Sequence, residues 1–76
     1  MLIHVEAVNG AARFENTADT TPEVMWDYIT TIAQIIGPGT VIRWWNHNPV
    51  HIVDGQRVVK GEHFTYMWDG TQVLDC

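Results

Sequence analysis

A hydrolytic or group-transfer centre needs a nucleophile held beside a base, and this 76-residue chain offers poor material for one. It contains no serine. Its single cysteine, Cys76, is the last residue, where a fraying backbone cannot preorganise a thiol. His47 and His51 are spaced i, i+4, which on a helix would place both imidazoles on one face. Asn48-Pro49 between them and the strand signals around them make the segment a loop, so the spacing carries no metal geometry. His4, His63 and Cys76 are scattered elsewhere, and the histidines read as polar residues on a sheet rim. Asp54 and Asp69 each precede a glycine, which turn chemistry explains. Gly37-Pro38-Gly39 follows a helix rather than a strand, so it lacks the setting of a phosphate-binding loop. The expectation is a non-enzymatic protein with no metal and no cofactor.

The aromatic residues are the stronger signal. Trp44 and Trp45 are adjacent within a stretch, Thr40 to Asn46, that reads as a β-strand. Successive strand side chains point to opposite faces, so one indole can enter the core and the other must lie on the far side. Arg43 shares a face with Trp45, and Trp26 lies at the edge of a helical apolar arc, beside its polar side. Trp, Tyr and Arg dominate the energetics of protein interfaces. The expected protein-binding residues are therefore Trp45, Arg43 and Trp26, with Trp44 as the other member of the pair and the acids Asp27 and Glu23 alongside. Trp45 is expected to be the outward indole, while Phe14, Tyr28 and Phe64 read as core. The alternative use of such aromatics is a small-molecule or nucleotide-binding module, working as an oligomer with a shared pocket.

The elements that must position these residues follow from periodicity and turn residues. Leu2 to Ala7 alternates as a strand, with Ile3, Val5 and Ala7 on one face. Asn9-Gly10 signals a type I′ hairpin, returning along Ala11 to Asn16 before a polar connection over Thr17 to Thr21. Thr20 or Thr21 caps a helix that Pro22 and Glu23 open and Gly37-Pro38-Gly39 ends. Its apolar arc holds Val24, Met25, Tyr28, Ile29, Ile32, Ile35 and Ile36; Glu23 and Asp27 lie on the opposite face, solvated. Strands are then expected at Thr40 to Asn46, Val50 to Val53, Arg57 to Val59, His63 to Trp68 and Thr71 to Asp75. One amphipathic helix has one sheet face to cover. The fold class is α+β, a ββαβββ-like two-layer arrangement of a helix on one antiparallel sheet of four to six strands, in a single domain over residues 1–76.

Nine acidic residues against four basic ones give a net charge of −5. Without a basic face the chain is a poor nucleic-acid binder, and its acidity suits a partner with a basic surface. The start, Met-Leu-Ile-His-Val-Glu, lacks the basic and apolar regions of a signal peptide. No apolar run approaches the roughly 20 residues of a membrane span. A cytoplasmic protein that does not enter the membrane is expected.

Two segments, Gly39-Thr40-Val41-Ile42-Arg43 and Asp69-Gly70-Thr71-Gln72-Val73-Leu74-Asp75-Cys76, resemble stretches of small phage anti-CRISPR inhibitors of type I-F surveillance complexes. The resemblance spans about 13 residues and the strand–strand–helix–strand–strand–strand order. The region between them, Trp44 to Trp68, is longer here and is expected to hold an extra hairpin. The family's lysines are missing, and Arg43 is the only basic residue in the matching positions. The resemblance implies a phage-encoded inhibitor that blocks a CRISPR-Cas complex or other bacterial host protein in the host cytoplasm. It implies no particular site, and a homodimer is a further possibility for the spare aromatic surface.

Overall fold

The structure is a computed structural model that describes the backbone of residues 1–76 and the side chains of residues 1–47, 54–56 and 61–76. The chain runs β1 (Leu2–Asn9), β2 (Ala12–Asp19), α1 (Pro22–Ile36), β3 (Thr40–Val53), β4 (Gln56–Trp68) and β5 (Val73–Asp75). The strands form one antiparallel sheet in the order β2-β1-β3-β4-β5. Because β2 and β3 are both antiparallel to β1, they are parallel to each other. A connection between parallel strands must cross a sheet face, and α1 makes that crossing. The result is a small two-layer α+β fold.

The helix begins where its cap chemistry demands. The Val24 N–H donates to Thr21 Oγ1 at 3.3 Å, and Pro22 occupies a first-turn position that needs no donor. Gly37, at φ 114°, ends it. The buried stripe is Met25, Ile29 and Ala33, packed on Ile3, Val5, Ala7, Ile42 and Trp44. This stripe is rotated from the expected arc. Trp26 packs against the core while Val24 and Ile35 are exposed, Ile35 at 75%. The Trp26 ring is turned toward Trp44 on β3 and Tyr66 on β4.

A helix about 10 Å wide cannot cover five strands spaced about 4.8 Å apart. Phe14 on β2 and Phe64 on β4 lie outside its footprint and are 46% and 40% exposed, and Tyr28 is exposed on the helix flank. These three therefore do not serve as core residues.

Three strand expectations also change. The β1–β2 pairing closes on Asn9 and Ala12, so the turn is Gly10-Ala11, with positive φ at Gly10 alone. That is the II′ pattern rather than I′. Strand β2 also continues to Asp19 through the segment expected to be a polar connection. Finally, 48–49 do not break the strand. The register shifts between His47 and Val50, leaving one extra residue on β3, a bulge that accommodates a proline without ending the pairing. The region from Trp44 to Trp68 thus adds no hairpin but lengthens one, whose strands lie along the 47 Å axis of a body 21 Å across.

The turn after the helix and the turn before β5 pack beside each other at one end of the sheet. The Gly39 N–H donates to the Trp68 carbonyl at 2.7 Å, and a Cβ on Gly70 would lie 2.9 Å from Pro38 Cγ. Thr40, fully buried, donates its hydroxyl to the Gly37 carbonyl at 2.7 Å and ties β3 to the helix end.

Candidate functional site

The sheet divides the candidate residues between two surfaces. Cross-strand register places Thr17, His4, Trp45 and His63 in one row on the face away from the helix. The next row is Glu15, Glu6, Arg43 and Thr65, and the one after it Arg13, Val8, Val41 and Met67. Among the described residues no element covers this face. Trp45 is half-buried here only because its neighbours flank it. The His63 ring stacks on it at 4.7 Å and 14°, and the His4 ring leans on it at 5.0 Å and 56°. An indole held on both sides is fixed in orientation and offers its outer edge.

Beside it, Glu6 is only 8% exposed. Its carboxylate accepts from Arg13 at 2.7 Å, and Arg13 also reaches Glu15 at 3.3 Å. The hydrogen bond and charge of Glu6, with the charge of Glu15, hold the Arg13 guanidinium above its usual range. Arg13 thus bridges two carboxylates that face each other across β1 and β2, a pairing that repels without it. Arg43 stands 3.9 Å from the other Glu6 oxygen and is otherwise exposed. His4, Glu6 and Glu15 bring one ligand atom each within 4.8 Å of one another. The Arg13 guanidinium already sits on both carboxylates, so the cluster is a salt-bridge network. His47 lies on this face one row beyond Trp45, away from these three, and the side chain of His51 lies outside the described residues.

The second surface is on the helix side. Trp44 is 5% exposed and is the indole of the pair that enters the core, on the face opposite Trp45. Trp26 is also not spare. Its ring packs on Tyr66 at 5.1 Å, edge to face, and on Trp44 at 6.0 Å. Trp26 and Trp45 therefore cannot form one contact set with Arg43, because the sheet lies between them. Instead Trp26, Trp44, Phe64 and Tyr66 line an open cleft of about 350 Å³ with Pro22, Glu23 and Asn46. Trp44 Nε1 donates to Asn46 Oδ1, and Asn46 Nδ2 donates to Glu62 at 3.4 Å. Burial, and then the charge of Asp75, raises the Tyr66 phenol above its ordinary range. Asp27 is exposed one helical turn beyond Glu23.

Neither the His4–Trp45–His63 row nor this cleft was expected. Both depend on strand register, and the cleft also depends on helix rotation. The alternation of Trp44 with Phe64, Tyr66 and Trp68 was the available signal for the cleft. Among the described residues no helix is long and apolar enough to cross a membrane. Compared with protein-family models, curated proteins and solved structures, the chain matches none.

Proposed function

We propose that the chain is a small non-enzymatic interaction protein that binds and blocks a partner protein through the open sheet face, with Trp45 and Arg43 at its centre. The observation that carries this reading is the Trp45 ring, stacked on His63 and flanked by His4 on a face that no element covers among the described residues. A ring fixed in this way loses little freedom on binding, which is what makes aromatic anchors effective. The surrounding Val41, Met67 and Leu2 supply apolar area, and Arg43 supplies a directional charged donor.

The partner class rests on the resemblance to phage anti-CRISPR inhibitors of type I-F surveillance complexes. The shared element order supports it. On this reading the chain is phage-encoded and acts in the host cytoplasm on a bacterial defence complex. Lacking the family's lysines, it engages that complex with aromatics and acids. The test is phage plaquing on a bacterium with an active type I-F system. Expression of the chain is expected to restore plaques, and Trp45→Ala to abolish the gain while keeping the native circular dichroism spectrum. No gain from the parent chain rejects the inhibitor class. An undiminished gain from Trp45→Ala moves the interface off this face.

A further inference from the structure

We infer that the helix-side cleft is a separate site that receives a cationic side chain, lysine or arginine, from the basic surface of a protein partner. Its floor and walls are the faces and edges of Trp26, Trp44, Phe64 and Tyr66. Carboxylates stand around it. Glu23 lines the cleft from the helix, with Asp27 exposed one turn further along. Glu62 approaches through its contact with Asn46, and Asp75 lies opposite Tyr66 in the β4–β5 register. Among the described residues, no lysine, arginine or histidine lines the cleft.

Aromatic faces attract a cation through their quadrupoles, and a nearby carboxylate adds to that attraction. An anion is disfavoured by the same groups, even though the cleft lies at a helix start. Pro22 has no N–H, the Val24 N–H is taken by Thr21, and Glu23 adds a negative charge to the first turn. A purely apolar guest has no use for Glu23 in the wall or for Glu62 and Asp75 beside its lining residues. The volume, about 350 Å³, is ample for one long side chain and falls at the lower end of the range for ligand sites.

The probes are the N-acetyl methylamides of lysine, arginine and norleucine, the last an uncharged analogue of lysine. They are titrated into the ¹⁵N-labelled full chain while the indole N–H signals are followed. The lysine and arginine probes are expected to shift the Trp26 indole signal with millimolar affinity, and norleucine to bind about tenfold more weakly. Glu23→Gln with Asp75→Asn, both at exposed positions, is expected to weaken the lysine probe several-fold with an unchanged circular dichroism spectrum. Trp45→Ala is expected to leave it unaffected. No shift at tens of millimolar probe, norleucine binding as well as lysine, or an unchanged affinity in the double variant each overturns the inference. Because the probes need no open-face contact, those failures leave the plaquing result to judge the proposed function separately.

Discussion

Substituting the two adjacent indoles one at a time separates their roles, because the sheet gives them different surroundings. Trp44 is 5% exposed, packs on Trp26 and sits in a cluster with Ile42, Val5 and Met25. Truncating a buried tryptophan to alanine costs about 3–5 kcal/mol. Against the roughly 5–15 kcal/mol that holds a domain together, this removes about a fifth of the stability or more. For a chain of this size each kcal/mol shifts Tm by about 4–8 °C, so Trp44→Ala is expected to lower Tm by at least ~12 °C. Trp45 loses two ring contacts on a face open to water, each worth about 0.5–1 kcal/mol at that exposure, for a total of about 1–2 kcal/mol. Its Tm should fall by no more than about 16 °C and typically much less. In binding the order reverses. If Trp45 is an anchor, its removal costs about 2 kcal/mol or more, a loss of roughly 30-fold in affinity. Thermal denaturation by circular dichroism and competition binding with the partner complex measure the two effects. A Trp45→Ala variant less stable than Trp44→Ala refutes the assignment of faces, and one that is stable but binds normally refutes the anchor.

Other consequences follow from single groups. The Tyr66 phenol is raised in the fold above its unfolded value, so its contribution to stability is complete below the unfolded value and is lost as pH rises through the folded one. Alkaline unfolding should therefore be less steep in Tyr66→Phe, as read by denaturation midpoints across the alkaline range. Asp69 shows the opposite sign. The N–H groups of Gln72 and Thr71 donate to its carboxylate at 2.7 Å and hold it below the usual range. That contribution is present above the unfolded value and lost as pH falls through the folded one, so Asp69→Ala should flatten the acid limb of a Tm-against-pH curve. Gly70 has φ +103° and approaches Pro38 so closely that a Cβ would sit 2.9 Å from its Cγ. Gly70→Ala should cost about 1–3 kcal/mol by equilibrium urea unfolding, and an unchanged midpoint would show that the turn shifts freely.

The parts of this fold legible in the sequence are those decided locally. Thr21, Pro22 and Gly37 bound the helix through cap and backbone chemistry, and alternation alone puts Ile3, Val5 and Ala7 on one face of β1. The rotation of the helix was not local. An apolar arc drawn on a wheel weighs Val24, Tyr28 and Ile35 equally with Ile29, but the sheet offers Trp26 an aromatic pocket on one flank only. The proline at 49 misled for a related reason. It costs a strand a donor, yet a bulge opposite Lys60 removes the need for that donor.

The width mismatch between layers explains why this chain has aromatic surface to spare on both sides of its sheet. A single helix, its Trp26 turned toward Trp44 and Tyr66, seals β1 and β3, but it ends short of Phe64 and leaves that edge as a cleft. On the other face, among the described residues, there is no covering layer. Strand β1 must nevertheless hold Glu6 there, and the chain satisfies it with Arg13 rather than with a second helix. The same row fixes the position of Arg43, and the row beside it clamps Trp45 between two histidines. His4, whose Nε2 lies 3.8 Å from Glu6, joins the polar network to the indole that it flanks. Removing the network should therefore loosen Trp45 before it unfolds the sheet.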